Sequence, residues 1–322
     1  MGADELTKDE VEAFLAGRPG GAEDLEPLSG GAWSSAWAYR AGGEDLVVRF
    51  GPDASWYEAD RTAMTFAGPD LPVPEVREVG TTAFGRAYAI SVRHHYGWFL
   101  EDTPVELADA ISPTLTRLLV ALFQVPGSPD SPVVWHQPVA STRSWREFLL
   151  AGLADDPDKM VNGWADALAE DRELAALSAA VTERVTALVD ACPERRDLVH
   201  GDLLHGNVLV SPDASRIEAV LSWKCSVRGD FLFDAAWCSF WAPWHPGIAA
   251  ADPLSGVLRD PGVRADPGAL VDAATRHHCY ELHIGFTHLG WNVWTKNHEA
   301  LAATAARLAE VLERGPLPLS VE

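Results

Sequence analysis

The chain has 322 residues, 47% of them hydrophobic and 22% charged, which is typical of a globular protein and excludes a disordered or low-complexity one. Its formal net charge is −22. Such a charge repels nucleic acid and anionic lipid head groups, so we expect neither nucleic acid nor a membrane as a partner. The acidity itself has two explanations, a surface that favours solubility and a field that attracts a polycationic substrate.

Cysteine spacing and the N-terminal sequence indicate the compartment. The four cysteines are far apart and form no C-x-x-C pair, so neither a disulfide framework nor a zinc knuckle is predicted. The N-terminus is acidic and amphipathic, and no run of about 20 apolar residues occurs. We therefore expect a cytoplasmic protein that is neither secreted nor membrane-spanning.

The first third of the chain carries the signals of one leading helix and an antiparallel sheet. Apolar residues recur with helical spacing and then with strand spacing, and Gly-Gly pairs supply the turns. The predicted elements are, in chain order, a helix at 6–16, strands within 25–50, a helix at 54–67 and strands at 76–79 and 87–92.

Beyond residue 97 the pattern becomes mainly helical, so we divide the chain into lobes at 1–97 and 98–322. Three short apolar runs interrupt this region and predict brief strands. The predicted helices lie at 104–123, 144–153, 174–189 and 267–314, and the short strands at 198–199, 208–210 and 219–221.

The most informative segment is 200–207, with the sequence HGDLLHGN. Phosphoryl transfer needs a carboxylate at the acceptor hydroxyl and, close to it, an amide oxygen that holds magnesium on the nucleotide phosphates. Asp202 and Asn207 supply these two groups. The alternative is a buried Asp and Asn that order a turn, with His200 in the core.

Three segments in the same order resemble the aminoglycoside phosphotransferase family. Residues 200–209 resemble its catalytic loop, residues 219–223 (AVLSW) its metal-binding strand, and residues 229–236 (GDFLFDAA) its GDPxxDLA stretch. Residues 47–49 and 240–244 are most similar to the hygromycin-type branch. The resemblance implies an α+β, two-lobed, protein-kinase-like fold, with an antiparallel N-terminal sheet that binds nucleotide and a mainly helical C-terminal lobe that holds the acceptor.

The resemblance also implies cofactors and roles. ATP and Mg²⁺ would be the cofactors, and a hydroxyl of an aminoglycoside or another natural product the acceptor. Asp202 would orient or deprotonate that hydroxyl, Asn207 would hold magnesium, and Arg49 would contact the nucleotide phosphates, where most relatives have lysine.

Two further parts of the nucleotide site have alternatives that the sequence leaves open. The partner of Arg49 would be Glu58 or Asp60, which are two residues apart on a helix and so do not share a face. Ser34 and Ser35 belong to a Gly-rich turn at 29–35 that either covers phosphates or is an ordinary hairpin turn.

Ser222 departs from the family, which normally places a magnesium-binding Asp at this position. A serine hydroxyl is a neutral and weaker ligand for a hard cation. Three explanations compete: a single magnesium held by Asn207, a replacement ligand such as Asp230, or a pseudokinase that binds a peptide, metabolite or protein partner without catalysis. An engineered substitution is a further explanation.

Two aromatic clusters in the C-terminal region have mainly structural explanations. The histidines of 276–288 do not form an H-E-x-x-H motif, so core or pocket roles are favoured over a metal site. Trp237, Trp241 and Trp244 follow the third family segment. Burial of large rings is the default interpretation, and a ligand-stacking surface is the alternative.

Overall fold

The computed structural model describes residues 6–31, 34–125, 127–135 and 144–318, and the chain divides into two compact units. The first unit consists of Met1–Thr103 and Leu204–Cys225, and the second of Pro104–Leu203 and Ser226–Glu322. The chain therefore enters the first unit twice, and the loop at 200–207 is shared between the two units.

The α-helices and β-strands of the described residues are numbered here in chain order. The helices are α1 (Lys8–Ala16), α2 (Ala54–Ala63), α3 (Ala108–Phe123), α4 (Trp145–Ala151), α5 (Trp164–Glu170), α6 (Arg172–Leu188), α7 (Leu232–Trp241), α8 (Pro246–Ala251), α9 (Pro253–Arg259), α10 (Pro261–Arg264), α11 (Ala273–Trp294) and α12 (His298–Arg314). The strands are β1 (Glu23–Gly31), β2 (Ser34–Ala41), β3 (Glu44–Gly51), β4 (Val76–Thr81), β5 (Ala87–Val92), β6 (Trp98–Phe99), β7 (Asp197–Val199), β8 (Val208–Val210), β9 (Ile217–Val220) and β10 (Val227–Gly229).

The first unit is built on a five-stranded antiparallel sheet with the order β1-β2-β3-β5-β4. Alternate residues of β3, among them Val48 and Phe50, are buried, because successive side chains of a strand point to opposite faces. Leu15 of α1 joins them in one core cluster. A second antiparallel sheet, β6-β8-β9, completes the unit. The predicted antiparallel N-terminal sheet is thus confirmed.

The second unit is mainly helical, as predicted, and α11 lies at its centre. This helix has buried residues around its whole circumference, which is the pattern of a helix enclosed by others, and α6, α7 and α12 pack against it. Within the described ranges, no helix combines the length and apolarity needed to cross a membrane. All four cysteines are free thiols.

Some predicted boundaries differ from the observed ones. The region 267–314, expected to be helical, contains α11 and α12, which are separated by a break in which Lys296 adopts a left-handed backbone with φ of 58°. Helices α5, α7, α8, α9 and α10 were not predicted. Of these, α8, α9 and α10 each begin with proline at the first or second position, and Asp252 and Asp260 cap α9 and α10, which are ordinary helix-start signals.

A buried polar cluster lies where α11 meets α12. Glu281 is fully buried, Arg314 donates to its carboxylate, and His277 Nδ1 lies 3.3 Å from the same oxygen. The neighbouring His278 is also fully buried, and neither of its ring nitrogens has a hydrogen-bond partner within the described residues. Burial lowers the pKa of His278 to about 4, with Glu281 opposing, because the imidazolium loses its hydration.

The buried imidazole of His278 should make the stability of the protein sensitive to acid. The folded-state pKa of about 4 lies below the ordinary value of 6.5, so the unfolded chain binds the proton first as the pH falls. The contribution of neutral His278 to the free energy of unfolding is complete above pH 6.5 and decreases towards pH 4. At pH 5 the free energy of unfolding is lower by on the order of 2 kcal/mol than at neutral pH.

We predict that His278→Leu, which has no ring nitrogens, loses less melting temperature between pH 7 and pH 5 than the parent protein. His298→Gln is the matched control because His298 is exposed, and it should behave like the parent. Thermal unfolding followed by circular dichroism at the two pH values measures the difference. An equal loss in His278→Leu and the parent would contradict the prediction.

Candidate active site

A small cavity of the first unit contains several of the predicted nucleotide-site residues. Its volume is about 30 Å³, room for roughly one water-sized group. We name it the Arg49 cavity, and its lining residues are Ser34, Arg49, Trp56, Tyr57, Asp60, Ser222 and Lys224.

Asp60 joins the parts of this cavity. Its carboxylate forms an ion pair with Arg49 of β3 and also accepts a hydrogen bond from the backbone N–H of Trp223 at 2.8 Å. Burial acts to lower the pKa of Arg49, but the charge of Asp60 and its hydrogen bond outweigh that effect and raise the pKa. Arg49 is therefore held as a cation at the wall of the cavity.

The structure separates the remaining nucleotide-site candidates. Glu58 turns away from Arg49 and pairs with Arg61 on the half-exposed side of α2, so Asp60 is the carboxylate that faces the arginine. Ser34 lines the Arg49 cavity, whereas Ser35 is not among its lining residues and sits opposite Phe50 in the β2–β3 register. Ala32 and Trp33, within the predicted phosphate-covering turn, lie outside the described residues.

Asn207 and Ser222 are brought together by the β8–β9 hairpin. Asn207 immediately precedes β8, and its backbone carbonyl accepts from the N–H of Leu221 at 2.7 Å, which places Ser222 one residue further on. The side-chain amide of Asn207 donates to the carbonyl of Leu204 at 2.9 Å. The side-chain oxygen of Asn207 is the atom of this side chain that can coordinate a cation.

These residues fit one magnesium ion better than two. Asn207 presents an oxygen ligand of the kind that Mg²⁺ accepts beside nucleotide phosphates. Ser222 offers only a hydroxyl, and its φ of 64° lies in the left-handed region, which Asn, Asp and Gly adopt more readily than Ser. Within the described ranges there is no group of three or more His, Cys, Asp or Glu side chains that could hold a metal.

Asp202 lies in the second unit, in a loop that follows β7. The buried carboxylate of Asp234, in the first turn of α7, accepts the backbone N–H groups of His200 at 2.7 Å and of Gly201 at 2.9 Å. Burial raises the pKa of Asp234 against the effect of these donors and of His200. Gly201 has a φ of 74°, a conformation that glycine adopts without strain. Asp202 itself is partly exposed.

Both oxygens of Asp230 accept hydrogen bonds within the second unit. It is fully buried in the second unit, where Arg276 donates to both of its oxygens at 2.8 and 3.1 Å and the hydroxyl of Tyr280 donates at 2.6 Å. The hypothesis that Asp230 substitutes as a metal ligand is therefore disfavoured by these contacts.

Three residues of these sites were not singled out in the sequence. Asp234 lies inside the recognised 229–236 segment, so its position was a signal that could have identified it. Glu101 accepts the backbone N–H of Gly206 in the catalytic segment, and burial raises the pKa of Glu101. Neither Glu101 nor Lys224 of the Arg49 cavity belongs to a recognisable motif, and only the structure reveals them.

The histidines and tryptophans of the second unit form mostly buried packing. His288 lies against the rings of Trp237 and Trp241, with centroids 5.2 and 4.9 Å apart. Trp237 is buried, whereas Trp244 is 41% exposed. The default interpretation of these rings as packing groups fits Trp237 best.

Comparison with known proteins identifies the family. The phosphotransferase enzyme family, APH, matches residues 24–266. A hygromycin-B 4-O-kinase from Escherichia coli is 30% identical over 289 residues, covering 83% of this chain and 81% of the relative.

Comparison with solved structures points to the same family. The aminoglycoside phosphotransferase APH(4)-Ia aligns with a TM-score of 0.79 and 26% identity, over 97% of this chain and 100% of that chain. A thermostable mutant of it in a ternary complex with AMP-PNP and hygromycin B aligns with a TM-score of 0.77 and 27% identity, over 94% and 98% of the two chains. The GDP complex of aminoglycoside 2'-phosphotransferase-IIIa, at 14% identity and a TM-score of 0.59 over 91% and 93%, shares the fold alone.

The kinase-like fold and the family resemblance predicted from the catalytic loop are thus confirmed. The match covers both the N-terminal sheet and the catalytic segment of this chain. The chain belongs to the phosphotransferase enzyme family of aminoglycoside phosphotransferases.

Proposed function

We propose that this protein is an ATP-dependent phosphotransferase that acts on a hydroxyl group of an aminoglycoside-like small molecule. The observation that carries the proposal is the intact Asp202–Asn207 loop, in which Asp234 holds the backbone before Asp202 and the β8–β9 hairpin holds Asn207. The relation to hygromycin-B 4-O-kinase supports the acceptor class. The net charge of −22 suits a cationic acceptor.

In this proposal Asp202 receives the acceptor. Its carboxylate accepts a hydrogen bond from the acceptor hydroxyl and takes the proton as the phosphoryl group is transferred. The backbone N–H groups of His200 and Gly201 donate to Asp234, so the backbone just before Asp202 is held in place. A group that is held in place loses less entropy when it is aligned for reaction.

The nucleotide side is assigned to the first unit. Arg49 donates hydrogen bonds to phosphate oxygens while Asp60 keeps the guanidinium in place, and Ser34 adds a hydroxyl to the same cavity. Magnesium, when bound, neutralises charge on the phosphate oxygens. Asn207 is the proposed ligand for it.

The alternative of a catalytically silent pseudokinase receives no support from the comparisons. The proposal therefore takes the first of the three explanations for Ser222, catalysis with a single magnesium at Asn207. We also propose resistance to an aminoglycoside as the biological role and a cytoplasmic location, the latter consistent with four free thiols.

The role proposed for Asp202 can be tested by neutralising its carboxylate. Asp202→Asn keeps the size of the side chain but removes the proton acceptor, so transfer to the best acceptor in an aminoglycoside panel should fall by about 10²–10⁴-fold. A coupled assay of ADP release measures the rate, and ATP titration should show unchanged nucleotide affinity. Asp166→Asn, at an exposed position, is the control. Activity of Asp202→Asn within about tenfold of the parent would exclude the assigned role.

Two carboxylates of α2, Glu58 and Asp60, should respond differently to neutralisation. Asp60→Asn leaves Arg49 without its charge partner, which typically costs about 3–5 kcal/mol for a buried pair. We expect a lower melting temperature and ATP affinity weakened by about tenfold or more, since 1.4 kcal/mol is already tenfold. Glu58→Gln, two residues away and paired with Arg61, should change neither.

Calorimetric titration with ATP and thermal unfolding test both variants. If Glu58→Gln and Asp60→Asn weaken ATP binding to the same extent, the assignment of Asp60 as the partner that matters is wrong.

A further inference from the structure

Lys224 is a second cation in the Arg49 cavity. It belongs to the one-turn 3-10 segment Trp223–Cys225 that follows Ser222, and it is partly buried. Its Nζ lies 4.5 Å from the centroid of the Trp56 ring, within the range of a cation–π interaction. The lysine is therefore positioned by an aromatic face at the wall of the cavity.

Arg49 and Lys224 are both contacted by side chains of α2. Trp56 and Asp60 are four residues apart on α2, so they share a face of the helix, and both line the cavity. Asp60 fixes Arg49 and the backbone of Trp223, while Trp56 contacts the next residue, Lys224. One helix face thus organises both cations.

Charge distinguishes this cavity from one built for two magnesium ions. Its lining contains two cations, Arg49 and Lys224, and one anion, Asp60, which is already paired with Arg49. Ser222 adds no charge. An ammonium group donates up to three hydrogen bonds and binds phosphate oxygens as a point charge. Lys224 can therefore supply the positive charge that a metal ion bound by a carboxylate at position 222 would otherwise provide.

We infer that Lys224 binds the nucleotide phosphates and, together with Ser222, takes the place of a second magnesium site. This inference rests on the proposed nucleotide-binding function of the same cavity. Its consequence is specific: ATP binds with substantial affinity in the absence of a divalent cation, and that metal-free affinity depends on Lys224.

The test is ATP affinity measured by calorimetric titration, once in excess EDTA and once in excess Mg²⁺. A hydrogen bond to a charged group contributes about 1.5–3 kcal/mol, so Lys224→Gln should weaken metal-free ATP binding by about tenfold to a hundredfold. Lys224→Arg keeps the cation and should retain most of the affinity. Lys8→Gln, an exposed lysine of the first unit, is the control for a simple loss of positive charge.

Ser222→Asp gives an independent reading. Aspartate tolerates the left-handed backbone of this position, so the variant should fold, and its added negative charge should weaken metal-free binding while making binding depend more steeply on Mg²⁺. Melting temperatures without nucleotide check that each variant is folded.

The outcomes separate this inference from the proposed function. If the parent protein binds ATP but folded Lys224→Gln binds it equally well in EDTA, Lys224 only packs on Trp56 and the inference is overturned. If the parent protein binds ATP neither with nor without Mg²⁺, the proposed function fails and takes the inference with it.

Discussion

The first unit depends on the burial of one carboxylate. Asp60 is 5% exposed, and a carboxylate removed from water is unfavourable unless its oxygens are hydrogen-bonded and its charge is paired. Its two oxygens satisfy this requirement with Arg49, 11 positions earlier in the chain, and with the backbone of Trp223, 163 positions later. The strand, the helix and the turn after β9 are therefore mutually fixed by a single side chain.

The second unit uses buried carboxylates in the same way. Asp234 holds two backbone N–H groups before Asp202, and Asp230 is enclosed by Arg276 and Tyr280. Both are almost completely buried, whereas Asp202 is partly exposed. The buried aspartates thus have structural partners that account for them, and Asp202 is the aspartate of this loop that solvent reaches.

Features that depend on residues close together in the sequence could be predicted, and features that depend on distant residues could not. The N-terminal sheet and the loop at 200–207 were predictable because strand alternation and the HGDLLHGN spacing are local patterns. The choice between Glu58 and Asp60 depends on which face of α2 meets β3, and spacing alone shows only that the two residues differ.

Contacts between distant segments could not be predicted. Residues of the β8–β9 hairpin belong to the same unit as the N-terminal sheet. The partner of Asp230, Arg276, lies 46 positions away. Lys224 is held against Trp56, a residue of α2 that is distant in the sequence. The three short helices after Trp244 carried Asp-Pro or His-Pro start signals, but each is too short for a periodic apolar pattern.

The function that we propose for this chain is the transfer of a phosphoryl group from ATP to a hydroxyl of a small cationic molecule. The most direct measurement is mass spectrometry of an aminoglycoside panel that includes hygromycin B, after incubation with the protein, ATP and Mg²⁺. We expect at least one acceptor to gain a single phosphoryl group with matching ADP formation. ADP without any modified acceptor, or no ADP at all, would contradict it.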